Sequence, residues 1–323
     1  MRDVALVSVA EPDEDRRRNA SRVFPRVRWV SDFGELLEKP DVEAVVITLP
    51  NHLHASAAVA AFQHGLHVYV EKPLASDLSG GRDVLTAWRR AGTVGMLGFN
   101  YRFLPAYQRA REIILARQIG PVVGIRSVFS TTRRDLPEWK QRRNTGGGAL
   151  FDLASHHLDL SAWLLGAPPQ AVSCKLHSRV TEDDVAALHV EFDGGISAQI
   201  FAVLGGAEQH RLEILGERGA LVVEPYASEF VDVRPATLDG VRVSNLRTAA
   251  RALANPRYWV RKINHSNWHV SYERAFDSFV HAVQSKSAVQ PDLDVGFATL
   301  AWLEAARASA RDGHRVQLGD AQL

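Results

Sequence analysis

The chain has 323 residues, 46% of them hydrophobic and 23% charged, with 38 Lys and Arg against 37 Asp and Glu. That length accommodates two domains, and the near-balance of charge removes any general pull toward nucleic acid or an anionic membrane surface. The single cysteine, Cys174, excludes an intrachain disulfide and suits a reducing, cytoplasmic setting, and no apolar run approaches the roughly 18 residues of a membrane span.

The first third alternates strand and helix. Val4–Ala10 is an apolar run of strand length, and Pro12–Val23 is charged and compatible with a helix. Arg26–Val30 reads as a strand and Asp32–Leu37 as a capped helical turn. Val42–Leu49, rich in Val and Ile, has the pattern of a buried strand. Ala55–His64 is an Ala-rich helix closed by Gly65. His67–Val70 is a strand, Ser79–Ala91 a helix closed by Gly92, and Val94–Phe99 a further strand. Strands alternating with helices predict βαβ units and a parallel sheet.

Beyond Phe99 the pattern changes. Pro105–Arg117 and the long amphipathic stretch Gly146–Leu165 read as helices. Val122–Thr132, Ala171–Val180, Val185–Val203, Gln209–Val223 and Phe230–Val233 alternate with period two, with turn signals at Asp193-Gly194-Gly195 and Gly216–Gly219. Trp268–Gln284 and Val295–Asp312 close the chain as helices. The expected fold is α/β: a parallel-sheet domain over residues 1–101, then an α+β domain over residues 102–323 with a large, mostly antiparallel sheet.

A dinucleotide-binding domain opens on a strand, a G-x-G-x-x-G turn and a helix whose N-terminus receives the pyrophosphate. Here Val4–Ala10 runs into Glu11-Pro12-Asp13, and no glycine precedes Gly34. Gly146-Gly147-Gly148 follows the polar stretch Lys140–Thr145 and not a strand, so it is not read as a phosphate loop. A strand ending in an acid resembles instead the second strand of that fold, where the acid holds the adenosine ribose hydroxyls. The expectation is a truncated Rossmann-type domain lacking an opening βα unit of roughly 25–30 residues. That loss would leave either a gap in the sheet or the strands after Val4 and Val42 re-paired.

Three ordered motifs carry a resemblance. Thr48–Pro73 reads TLPNHLHASAAVAAFQHGLHVYVEKP, Gly98–Arg102 reads GFNYR, and Gly146–Asp159 reads GGGALFDLASHHLD. Together they resemble the glucose–fructose oxidoreductase/inositol dehydrogenase (Gfo/Idh/MocA) family. From the residues alone, Lys72 stands at the C-terminal end of a buried strand, where an open α/β sheet binds its ligands, and its ammonium can polarise or protonate an oxygen. Asp152 and His156, four apart, share one face of a helix, with Asp159 three further on.

The resemblance implies that Lys72, His156 and Asp152 are catalytic, with His156 taking the hydroxyl proton and Asp152 positioning substrate or base. It implies cofactor contacts from Glu11, Pro50, Asn51, His54, Glu71, Lys72 and Asn100, and substrate contacts from Arg102, Trp139, Asp152 and His156, with Lys140 beside them. Arg102 is read either as a substrate ligand or as a brace for its loop. His157 points elsewhere on the helix and is read as incidental, and no metal is expected. Ala154 stands where the family usually has Gly.

The implied activity is hydride transfer between NAD(P) and a secondary alcohol or ketone of a sugar, inositol or related polyol. Glu11 favours NAD over NADP by repelling a 2′-phosphate. Two other readings stay open: a non-catalytic ligand-binding or assembly relative with no cofactor, and an NAD-assisted eliminase or glycosidase. The expected partners are a small-molecule substrate and further copies of the chain, as a homodimer or homotetramer through the second-domain sheet, with neither nucleic acid nor membrane.

Overall fold

Runs of Val, Ile and Ala build the first part of the molecule. The computed structural model describes residues 4–39, 41–133, 135–226, 230–237, 250 and 268–319. By backbone proximity the chain divides into two units: Met1–Gly98 with Phe276–Leu300, and Phe99–Ala275 with Ala301–Leu323. The division is not linear, because residues 276–300, read with the second domain above, join the first unit.

The first unit holds β1 (Ser8–Ala10), α1 (Glu14–Val23), β2 (Arg28–Val30), α2 (Phe33–Leu37), β3 (Ala44–Ile47), α3 (His54–Gln63), β4 (His67–Val70), α4 (Leu78–Ala91) and β5 (Gly95–Leu97). All pairings are parallel, as βαβ connections require, but they form two sheets, β1-β2 and β3-β4-β5. β1 and β3 are not paired, and Ala44 and Val46 of β3 are exposed.

β4 and β5 are the buried strands: Val68, Tyr69, Val70, Met96 and Leu97 are all without exposed surface. Tyr69 packs on Phe276 and Phe279 at centroid distances of 4.7 and 5.9 Å. Side chains buried to this degree contribute about 1.5–3 kcal/mol each. The small side chains of α3, Ala57, Ala58 and Ala61, are buried as well. Asp77 caps α4 by accepting from Gly80 N at 2.8 Å, and Gly92 ends it at a φ of 64°.

The second unit is built on an eight-stranded sheet ordered β12-β11-β10-β6-β9-β8-β7-β13. Its strands are β6 (Val122–Thr131), β7 (Ala171–His177), β8 (Val185–Glu191), β9 (Ser197–Leu204), β10 (Gln209–Gly216), β11 (Gly219–Val223), β12 (Asp232–Pro235) and β13 (Val316–Gln317). Every pairing is antiparallel except the central β6–β9 pair, which is parallel. Alternation sets the two faces: Ile125, Leu188, Ile200 and Leu212 turn inward, while Arg126, Lys175, Gln199 and Phe201 turn outward. Cys174 is buried among the inward residues, and burial pushes its thiol up to about 12, which leaves it a packing residue.

The helices here are α5 (Pro105–Leu115), α6 (Glu138–Gln141), the buried α7 (Ser155–Leu165), α8 (Trp268–Ser285) and α9 (Leu293–Asp312), the last two having residues in both units. The stretch Gly146–Leu165 is not one helix. A π-helical turn, Leu150–Ala154, precedes α7. No helix among the described residues is long and apolar enough to cross a membrane.

Candidate active site

Each unit carries its own set of chemically capable residues. In the first, the C-terminal ends of β3 and β4 bring Pro50, Asn51, Glu71 and Lys72 to neighbouring turns. Glu71 N donates to Ile47 O at 2.9 Å, which ties the end of β4 to the end of β3. Asn51 opens a 3-10 turn, Asn51–Leu53, that leads into α3. Gly98, just past β5, lies against Glu71. A Cβ at that position would meet Glu71 Cα at 3.0 Å, so the glycine lets the acidic side chain pass. The Lys72-Pro73 bond is cis.

His54 is buried and spends both ring nitrogens on the backbone: Nδ1 lies 2.7 Å from Pro73 O and Nε2 2.7 Å from Leu49 O.

Glu11 follows β1. Its carboxylate accepts from Asp13 N at 3.0 Å, and its amide donates to Val30 O at 3.0 Å. The N-terminus of α1 beside it does not suit a pyrophosphate. Asp13 already caps it, accepting from Arg16 N at 2.8 Å, and Glu14 and Asp15 place two more carboxylates in its first turn. Donors are occupied and the local charge is negative, the reverse of an anion site. The α1 turn therefore does not suit the phosphates of a dinucleotide, whereas α3, among the described residues, begins without a side-chain cap.

In the second unit, Asp152 sits in the π-helical turn and His156 in the first turn of α7. A π turn widens the backbone, so the simple one-face relation of residues four apart does not carry over unchanged. Lys140 Nζ approaches Asp152 Oδ1 at 3.1 Å and stands 5.4 Å from the centre of the Trp139 ring. The glycine run makes this approach feasible. A Cβ on Gly147 would come within 2.3 Å of Lys140 O, and Gly148, at a φ of 92°, packs on Asp183. Trp139, Lys140 and Asp152 thus come together.

Arg102 and Asp159 form a buried bidentate pair, Nε to Oδ2 at 2.9 Å and Nη2 to Oδ1 at 2.6 Å. Burial raises the Asp159 carboxyl above its ordinary value, and the guanidinium pulls it back down. Arg102 thus braces α7 through Asp159 with its Nε and Nη2. Asn100 is buried and donates from Nδ2 to Ser271 Oγ at 2.9 Å.

His156 stacks on Tyr101 at 4.2 Å, with Phe99 edge-on at 6.2 Å. Behind it lies a cluster that the linear reading missed. The Phe129 ring stacks on His157 at 5.3 Å and on His210 at 4.3 Å, and the two imidazoles lie 4.9 Å apart. His210 Nε2 is 3.0 Å from the Tyr107 hydroxyl, and the hydroxyls of Tyr101 and Tyr226 are 2.8 Å apart. His157 is therefore not incidental: it belongs to the aromatic floor beneath His156. Burial alone lowers it to about 3, and burial together with His157 and His156 holds His210 well below the ordinary histidine value. Both are neutral at pH 7. One signal was present in the sequence, since His210 alternates with Leu212 and Ile214 on the inward side of β10.

Sequence and fold comparisons identify relatives of the chain. A profile described as an oxidoreductase family, C-terminal alpha/beta domain, matches residues 111–318. Another, an oxidoreductase family, NAD-binding Rossmann fold, matches residues 1–99. The uncharacterized oxidoreductase ORF334 of Rhizobium meliloti is 29% identical over 314 residues, 96% of this chain and 90% of that protein. The scyllo-inositol 2-dehydrogenase (NAD(+)) of Bacillus subtilis (strain 168) is 28% identical over 242 residues, 72% of this chain and 69% of that protein. Levoglucosan dehydrogenase, solved with NADH and levoglucosan, has a TM-score of 0.84 at 23% identity, covering 98% of this chain and 90% of that one, a likeness of fold.

Proposed function

Because the chain belongs to the glucose–fructose oxidoreductase/inositol dehydrogenase (Gfo/Idh/MocA) family, we propose that it is an NAD(P)-dependent oxidoreductase acting on a secondary alcohol or ketone of a sugar, inositol or related polyol. The observation that carries this reading is the His156 environment: an imidazole at the start of a helix, stacked on Tyr101, with the Lys140–Asp152 pair one turn before it.

NAD(P), when bound, would supply the hydride acceptor, and the chain's own residues handle the proton. His156 takes the proton from the substrate hydroxyl as general base. The Lys72 ammonium can polarise or protonate a substrate oxygen and stabilise charge that develops on it. Asp152, held by Lys140, accepts from a neighbouring substrate hydroxyl and fixes the sugar ring. The Arg102–Asp159 brace anchors α7 and so the position of His156.

Pro50, Asn51, Glu71 and Lys72 would hold the nicotinamide end. Glu11, with Asp13, Glu14 and Asp15 beside it, sets a negative field that disfavours a 2′-phosphate, so NAD is the preferred form. The outward sheet face exposes Phe201 and Leu215 among polar residues, and it is the face through which a second copy would pack.

One observation favours a second reading: the acidic, self-capped N-terminus of α1 leaves no phosphate site on that helix. A chain of this family that does not bind dinucleotide would serve as a ligand-binding or assembly subunit. Calorimetry with NAD+ and NADH on this chain separates the two. Micromolar binding, followed by NADH production with inositols or sugars, is expected; an absence of binding at millimolar cofactor would overturn the oxidoreductase reading in favour of the second.

A further inference from the structure

His54 is the first residue of α3, and only 1% of its surface is exposed. Its two partners belong to different strands. Leu49 lies two residues past β3, and Pro73 follows Lys72 beyond β4. The register of the two strands ends at Ile47↔Val70, and Glu71 N to Ile47 O is the next tie. The imidazole extends that tie further along both chains, to Leu49 O and Pro73 O, each 2.7 Å from a ring nitrogen. Lys72 is thereby bracketed, with the Glu71 amide bond before it and the Pro73 carbonyl contact after it.

We propose that His54 is a positioning residue for Lys72: by gripping the Leu49 and Pro73 carbonyls it fixes the backbone from which the lysine side chain is presented. This rests on the reading above that Lys72 acts on the substrate oxygen. His54 touches neither substrate nor cofactor in this role.

The chemistry of the grip is specific to histidine. Both partners are acceptors. A neutral imidazole has one N–H and one lone pair, so it donates to one carbonyl and turns a lone pair toward the other; an imidazolium donates to both. Burial lowers the His54 pKa below its ordinary value, the two carbonyls oppose that, and the charges of Lys72 and His52 add to the lowering. The coupling is reciprocal: a proton on His54 makes a proton on Lys72 less favourable by the same amount. The neutral ring therefore donates to one carbonyl, and acid adds a second donated bond as His54 is protonated. Asn or Gln can donate to one carbonyl, as the neutral ring does, but neither can gain a second donor by protonation.

The test uses the full chain and two substitutions. In His54→Asn, hydrogen exchange of the Glu71 and Lys72 amides is expected to rise about tenfold. In the same variant kcat is expected to fall about tenfold with KM for the alcohol changed less than twofold, and the alkaline limb of the pH–kcat profile is expected to move. Unchanged exchange, or faster exchange with unchanged kcat and pH profile, overturns the proposal. Lys72→Met leaves the grip in place, and nitrogen NMR of its histidines should show the His54 pKa raised relative to the parent chain; an unshifted His54 also overturns it. Should His54→Asn fail to fold, that NMR titration still decides the coupling. Should the parent chain show no dehydrogenase activity, the functional reading fails while the exchange and NMR arms still judge the grip.

Discussion

His54 in the first unit and His157 in the second are both buried imidazoles, yet they meet different surroundings. His54 has a backbone carbonyl at each ring nitrogen. His157 has aromatic faces, Phe129 at 5.3 Å and His210 at 4.9 Å, and neither of its ring nitrogens has a hydrogen-bond partner among the described residues. The first histidine is used as a polar tie, the second as a flat plate. The difference lies in what each element offers. Strand ends in a parallel sheet expose carbonyls with no further ladder to join, whereas α7 lies against a sheet whose inward face carries apolar and aromatic side chains. The first unit satisfies its buried imidazole with main chain, whereas around α7 the second pairs its charges with one another or keeps its imidazoles neutral.

Arg102–Asp159 is the strongest check on that last statement. It is a charge pair in the same unit as His157, with both side chains nearly fully buried. Arg102→Met should cost about 3–5 kcal/mol of stability at pH 7, because Asp159 is left as an uncompensated buried carboxylate. The loss should shrink as pH falls. Asp159 already has a raised pKa from burial, the brace that lowers it would be gone, and protonation would relieve the charge. The double variant Arg102→Met/Asp159→Leu should recover most of the stability, as well-packed replacements of buried pairs do. Urea unfolding of the three proteins measures this. A single variant within about 1 kcal/mol of the parent would mean that this interior tolerates charge better than argued.

The second test addresses His157 directly. Its folded pKa of about 3 lies below the ordinary 6.5, so the unfolded chain binds the extra proton over that interval. Stability is therefore intact above about pH 6.5 and lost as pH falls toward 3; the loss from His157 alone is about 2 kcal/mol at pH 5. His210 is shifted in the same direction and adds to it. His157→Leu should flatten the dependence of unfolding free energy on pH between 7 and 5 by close to one proton. His54→Gln should flatten it less, because two carbonyls partly offset the burial of His54. Equal slopes in the two variants would erase the distinction between tie and plate.

Much of this was legible in the sequence, and the exceptions have physical causes. Buried strands such as Val42–Leu49 and the alternation of Val185–Val203 declare themselves through side-chain period, which is local. The break of Gly146–Leu165 into a π-helical turn and α7 is not local. Just before it, Gly147 and Gly148 admit the close approach of Lys140 and Asp183 from outside the helix. The parallel β6–β9 contact and the return of residues 276–300 to the first unit are matters of spatial order, which period does not encode. Lys72, Asp152, His156 and His54 were singled out because they stand in motifs, but a motif names a residue and not its hydrogen-bond partners, so the backbone ties of His54 were not legible. His157, His210 and Tyr101 escaped because aromatic stacking draws on three elements, and adjacency on a helix argued against a shared environment for the two histidines.

The smallest expected effect concerns the rim of the second unit's site. The Lys140–Asp152 pair is partly exposed, with side-chain exposures of 31% and 22%, so solvent weakens it and Lys140→Ala should change stability by less than about 1 kcal/mol. If Asp152 orients substrate, the same change should still lower kcat/KM for the alcohol by roughly three- to tenfold, the equivalent of about 0.7–1.4 kcal/mol of lost transition-state stabilisation. Lys140→Arg should retain most of the activity, since a guanidinium reaches the same carboxylate, though its bulk changes the packing on Trp139. Gly147→Ala offers the geometric counterpart. Its Cβ would meet Lys140 O at 2.3 Å, so the segment that carries Trp139 and Lys140 must move, and activity should fall further than in Lys140→Ala while Asp152 itself is untouched. An unchanged kcat/KM in both variants would remove Lys140 from the site and leave Asp152 to be positioned by the π-helical turn alone.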